Sequence, residues 1–266
     1  MNNTKKMFSA IITACLAFSA SLVEMRADPI IYASAGLGSQ LIKIDVGTKQ
    51  VTTIGDFGVI ALGLAINPQG RVFSVTDSFS PLCPAACNPQ LARVKHATGR
   101  AIPFGDLQGE PFMGIGFSPD GTLYGVNAFS GTPDSGSLYR FNLATGEATK
   151  VGVTGGCLDI MDLAWHPDGA MYGAAFNSLY RINLATGQAE LVATLTGLSA
   201  NMVMGLAIDD DGNFYVSEII PNSPLYRVNP HTGATTKILH TGMDYIHGLE
   251  FMPAPRSRAH QGGHVK

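Results

Sequence analysis

A nine-residue motif recurs along the chain and sets what it can fold into. It reads Leu138-Tyr139-Arg140-Phe141-Asn142-Leu143-Ala144-Thr145-Gly146 and returns from Leu179 to Gly187 and from Leu225 to Gly233. Fainter copies begin at Leu41 and Leu91, so five copies are spaced 41–50 residues apart. A second motif is interleaved with the first: an apolar strand, a tight turn and another strand, clearest in Gly114-Ile115-Gly116-Phe117-Ser118-Pro119-Asp120-Gly121-Thr122-Leu123-Tyr124-Gly125. Its relatives turn at Gln69-Gly70, Asp168-Gly169 and Asp211-Gly212, and a fifth first strand follows His247. Asp-Gly supplies the positive φ angles expected of a two-residue hairpin turn. Leu-Tyr-Arg-Ile-Asn alternates in the manner of a strand. Each unit is therefore four short antiparallel strands, the size of a propeller blade.

The ends complete the count. Ile30 to Ser34 reads as the second strand of a blade whose first strand is supplied by Gly248 to Phe251. The expected fold is all-β, a single β-propeller of five four-stranded blades over residues 28–254, with both termini sharing the closing blade. A degenerate sixth repeat is the alternative. Closing the ring removes sheet edges that would otherwise pair between molecules.

Composition places the chain outside the cytoplasm. Lys5 and Lys6 precede an apolar run from Met7 to Val23 and then small residues, so residues 1–27 read as a signal peptide. The destination is the periplasm or the medium. Cys15, in Ile12-Thr13-Ala14-Cys15, resembles a lipobox and would become a lipid anchor. The apolar run continues past it through Leu16, Phe18 and Leu22, which favours an ordinary signal-peptide residue. Cys83 and Cys87 lie four apart in a Pro-rich segment, Pro81 to Cys87, where an oxidising compartment makes a local disulfide the expected use. The formal net charge of −3 is the balance of a basic leader, a basic tail over 255–266 and a body of −8. A body this acidic, with no basic stripe, argues against nucleic acid as a partner. The polar tail is expected to be disordered.

The alternation of Gly-Leu-Ala-x-x-Pro-Asp-Gly-x-Leu-Tyr-Gly with Leu-Tyr-Arg-Ile-Asn-x-x-Thr-Gly resembles exported bacterial propellers with NHL-like, streptogramin-lyase-like and quinoprotein-like (YVTN) repeats. That resemblance implies a fold and describes blades rather than sites.

Departures from the repeat mark a candidate site. Short hairpins trim one face of the disc, and long connections crowd the other, the usual place for binding groups. Just before the recurring Gly of the innermost strand, the five copies carry Leu62, Met113, Met161, Met204 and His247. The next position holds Gly63, Gly114, Asp162, Gly205 and Gly248, one carboxylate among four glycines. The top of the second strand holds Ala35, Thr76, Asn127, Ala175 and Glu218. On this alignment His247, Glu218 and Asp162 form a candidate acid/base centre, with Asn127 and Asp77 as binding groups around one central mouth. The streptogramin-lyase-like resemblance implies that His247-Gly248 and Ser217-Glu218 lie near a metal-dependent acid/base centre, and so raises a divalent metal as cofactor. Three methionines and a histidine also suit Cu(I), although channel-plugging Met side chains are the more economical reading.

Three functions follow from the pattern. The first is a binding platform that grips an extracytoplasmic protein, peptide or carbohydrate through its loop-bearing face. The second is a metal-assisted lyase or hydrolase centred on His247. The third is a sugar-binding propeller with one site per blade.

Overall fold

In the computed structural model, residues 28–76, 88–128, 135–155 and 158–253 are described. Five four-stranded antiparallel sheets surround a central axis. The first three strands are β1 (Ile30–Ala35), β2 (Gln40–Asp45) and β3 (Gln50–Asp56). Blade 1 is β4 (Ala61–Ile66), β5 (Val72–Thr76), β6 (Leu91–Val94) and β7 (Ala101–Phe104). Blade 2 is β8 (Phe112–Phe117), β9 (Leu123–Asn127), β10 (Ser137–Phe141) and β11 (Ala148–Val153). Blade 3 is β12 (Asp162–His166), β13 (Ala170–Ala175), β14 (Ser178–Ile182) and β15 (Ala189–Thr194). Blade 4 is β16 (Val203–Ile208), β17 (Phe214–Glu218), β18 (Pro224–Val228) and β19 (Thr235–His240). The last strand, β20 (Leu249–Met252), pairs with β1, so the closing blade has the order β20-β1-β2-β3. The all-β, five-bladed ring with a shared closing blade is therefore the fold observed. No helix occurs among the described residues, and hence none long and apolar enough to cross a membrane.

The core is divided among the blade interfaces. Five buried clusters each join one blade to the next, and a sixth lies at the mouth of the channel. This explains the burial pattern of the strands. Inner and second strands are sandwiched between blades, so β4, β5, β8, β13, β16 and β17 are buried at every position. Outer strands such as β3 and β15 are mostly exposed. The third strands correct a sequence expectation. Leu138 and Tyr139 do not alternate between core and solvent. Leu138 packs toward blade 3 and Tyr139 toward blade 1, and Arg140 is the exposed member.

The turns also differ from expectation. In the blade 2 hairpin the Ser118 N–H donates to the Thr122 carbonyl and the Gly121 N–H to the Ser118 carbonyl. The connection thus has three residues, and Gly121 alone takes the left-handed backbone, at φ 86°. This is a type I turn closed by a G1 bulge rather than a two-residue turn. Asp120 accepts from Ser118 and Thr122 instead of contributing a positive φ.

Residues 1–27, where a signal peptide is expected, and with them Cys15, lie outside the described residues, as do Asp77, Cys83, Cys87 and the tail over 255–266.

Candidate functional site

Inner strands meet closely around the axis. A Cβ on Gly114 would stand 2.4 Å from the Asp162 Cα, and one on Gly248 would stand 2.8 Å from the Leu62 carbonyl oxygen. The glycine layer is therefore a requirement of blade spacing. Asp162 breaks it at the boundary between blades 3 and 4.

The innermost strand of a blade is a sheet edge, with backbone N–H groups directed into a channel. Asp162 answers several of them. Its Oδ2 accepts from the N–H of Leu206 at 2.8 Å and of Leu249 at 3.0 Å, and its Oδ1 accepts from Leu163 at 3.0 Å. One fully buried carboxylate thus links blade 3, blade 4 and the closing blade. Burial pushes its pKa well above the usual carboxylate range, against the lowering effect of those three donors.

Glu250 is the channel residue that sequence comparison missed. It accepts from the N–H of Phe251 at 3.1 Å and from the N–H of Ile66 on blade 1. Its pKa is also raised well above the usual range, first by burial and then by the Asp162 charge. It keeps some solvent exposure, as a channel-lining group does. A signal was present: counting three residues on from the Met/His layer gives Ala65, Gly116, Ala164, Ala207 and Glu250.

His247 opens the closing blade's descent into the channel, and its N–H donates to the Ser34 carbonyl at 3.0 Å. Burial lowers its pKa to about 4, so the ring is neutral near pH 7. Its Nδ1 is buried and has no hydrogen-bond partner among the described residues. Leu62, Met113, Met161 and Met204 occupy the equivalent positions in the other blades and form one cluster with Ala128, against which Ile60 and Ile219 pack.

Glu218 and Asn127 take a different course. Glu218 Oε1 accepts from the N–H of Ala200 at 2.7 Å, and Oε2 from the N–H of Ser199 and the hydroxyl of Tyr226, both at 2.8 Å. Burial alone would raise its pKa, but the Ala200, Ser199 and Tyr226 donors outweigh it and hold the carboxylate below its ordinary value. Asn127 donates from Nδ2 to Glu110 at 2.6 Å and accepts on Oδ1 from the Ser137 N–H at 2.8 Å. Both side chains therefore pin loops of their own blade. The pairing with a tyrosine was visible in the motif, since Tyr226 and Tyr139 are its second residue; Tyr139 lies 3.5 Å from Asn127 Nδ2. The structure brings Asp162 and Glu250 together in the channel below His247, while Glu218 and Asn127 serve loops. Among the described residues no three His, Cys, Asp or Glu side chains gather in a way that could hold a metal.

The face around this mouth has its own character. Among the described residues, seven other than glycine adopt a left-handed backbone, and six of them lie in its connections: Leu37, Gln108, Phe176, Asn201, Asn222 and Tyr245. Leu37 and Phe176 are 53% and 40% exposed, and Met202 on the same face is 43% exposed.

A family model described as a repeat of unknown function (DUF6923) matches residues 83–200, less than half of the chain. No curated protein sequence matches. Among solved structures, a structural genomics protein of unknown function from Bacteroides thetaiotaomicron overlays at a TM-score of 0.57 and 17% identity. The match covers 87% of this chain and 66% of that one, so the chain spans about two thirds of its length. TolB from Acinetobacter baumannii overlays at 0.52 and 15% identity, covering 85% of this chain and 67% of that one. Virginiamycin B lyase from Staphylococcus aureus overlays at 0.46 and 15% identity, covering 79% and 69%. At these identities the likeness is one of fold, a β-propeller, and extends to no residue of the mouth.

Proposed function

We propose that the ring is an extracytoplasmic interaction platform that binds a protein or peptide partner through its loop-bearing face. One observation carries this reading. Leu37 and Phe176 hold bulky apolar side chains in left-handed backbone, at φ 56° and 52°, and present them to solvent. Glycine or asparagine would occupy such positions with less strain. Strained positions of this kind concentrate where a fold binds. Both sit in the connection between second and third strands, in the closing blade and in blade 3, on one face of the disc. The expected periplasmic or secreted location rests on the leader sequence, and the fold shared with TolB is compatible with it.

The acid/base reading is weaker because the Glu218 carboxylate is occupied by the loop it anchors. A carbohydrate reading with one site per blade requires repeated loops. The connections differ in length from blade to blade: 36–39 after β1, but 176–177 after β13.

The test replaces Leu37 and Phe176 with asparagine, which tolerates the same backbone. Capture of cross-linked extracytoplasmic proteins by the wild type is compared with capture by the double variant and by Ile102→Asn on the rim. Loss of a specific partner in the double variant alone is expected. Equal capture by all three proteins would remove the platform reading.

A further inference from the structure

The ring of side chains at the channel mouth has a composition that close packing does not require. Met113, Met161 and Met204 are 7%, 1% and 7% exposed and lie in one cluster. Leu62 fills the fourth equivalent position, so hydrocarbon alone can close this layer. The fifth position belongs to His247, whose buried Nδ1 has no partner among the described residues. Its backbone runs between those of two other members. The His247 carbonyl oxygen is 3.3 Å from where a Cβ on Gly205 would stand, directly after Met204, and the Leu62 carbonyl oxygen is 2.8 Å from where one on Gly248 would stand. In the tautomer that carries its proton on Nε2, Nδ1 offers a lone pair that no group among the described residues uses.

We propose that this mouth binds a soft monovalent cation, Cu(I) or its mimic Ag(I), through the thioethers of Met113, Met161 and Met204 and the Nδ1 of His247. Thioether sulfur and neutral imidazole are the ligands such ions prefer, and hard divalent ions demand oxygen instead. The imidazole is neutral near pH 7, the form in which it ligates. All four ligands are uncharged, so the bound ion keeps its positive charge. Asp162 directly follows Met161 and Glu250 lies three residues beyond His247, so two carboxyl groups that accept backbone N–H groups are placed where a bound cation would favour their ionised form. Ala128, Ile60 and Ile219 pack around the methionines as an apolar surround. Leu37 and Phe176 are not members of the Met cluster, so this inference does not depend on the platform reading.

The test uses the exported protein labelled with [13C-methyl]methionine, its thiols alkylated so that cysteine sulfur cannot compete. Ag(I) is added under nitrogen, and Cu(I) affinity is measured by competition with bicinchoninate. One equivalent of Ag(I) should shift three methyl signals together with the His247 ring resonances. Single Met→Leu variants, which conserve volume and therefore keep the fold, assign those signals. Met161→Leu should weaken Cu(I) binding at least ten-fold, and His247→Gln should do the same. Methyl signals of Met113, Met161 and Met204 that stay in place on Ag(I) addition would overturn the proposal. So would Met161→Leu and His247→Gln variants, folded by circular dichroism, that bind Cu(I) as the wild type does.

Discussion

At the scale of single residues, the same chemical group has different consequences according to what surrounds it. Glu218 and Asp162 are both buried carboxylates that accept backbone N–H groups, yet one is held below its ordinary pKa and the other well above it. Glu218 receives a tyrosine hydroxyl and backbone donors from one loop, and that loop depends on it. Glu218→Gln replaces an accepting oxygen with a donating nitrogen facing donors. The variant should lose about 1–3 kcal/mol of stability, read by urea denaturation, while the Ser199–Met202 loop exchanges its amides faster. A variant as stable as the wild type would show that the loop stands without this anchor. His247 gives a pH prediction of definite sign. Its pKa is about 4 in the fold and near 6.5 when unfolded, so the folded state binds fewer protons between those values. Stability contributed by this residue therefore falls as pH drops from 7 to 5, by up to roughly 2 kcal/mol. Asp162 and Glu250 are shifted the opposite way, so the measurement is a difference: in metal-free protein, wild type should lose more stability over that interval than His247→Gln. Equal losses would mean that the ring titrates normally.

At the scale of strands and turns, the repeat is written in glycine for two separate reasons. Gly121 has left-handed backbone at φ 86° with open space around it, whereas Gly187 has φ 83° with the Gly152 carbonyl oxygen 2.6 Å from where a Cβ would be. Gly99, Gly146 and Gly233 press on the preceding blade in the same way, so the Thr-Gly turn is the fastener between neighbouring blades. Lys49 takes this place in the closing blade at φ 59°, a side chain where the other four blades have none. Gly121→Ala should cost about 1–2 kcal/mol, from backbone strain alone. Gly187→Ala should cost about 1–3 kcal/mol more, because blade 3 must shift against blade 2. Thermal melts of both variants separate strain from crowding, and equal costs would refute the fastener. Much of this element-level order was legible in the sequence, since turn glycines and Leu-Tyr-Arg strands are local signals. The direction of a strand-end side chain was not. Glu218 and Asn127 end second strands paired to inner strands whose register shifts between Val203 and Gly205 and between Phe112 and Gly114. A bulge of one residue redirects side chains, and nothing in residue spacing announces it. Asp162 was legible as a break in a glycine layer. Glu250 was equally so, one layer deeper, where only small residues otherwise stand.

At the scale of the whole molecule, the ring holds because every blade buries both faces, and the closing blade does so with strands from the two ends of the chain. Ile30 pairs with Met252 and Ala33 with Leu249, and Ile246 and Leu249 belong to the core that joins this blade to blade 4. Removing residues 246–253 would expose the edge of β1 and open that interface. The truncated chain should unfold or associate through the free edge, seen as loss of the monomer by light scattering. The opposite operation tests whether closure itself, rather than chain order, is what matters. Asp28 and Pro253 leave the ring from the paired ends of β1 and β20, so a short linker can join them. A circular permutant opened in the 57–60 connection would then make the closing blade from continuous chain. It should remain a folded monomer with stability equal to or above that of the parent, because the closing strand no longer has to be recruited from the far end of the chain. A permutant that fails to fold while its blades and turns are unaltered would mean that the ring is assembled in an order set by the termini, and that closure is a late step rather than the condition of stability.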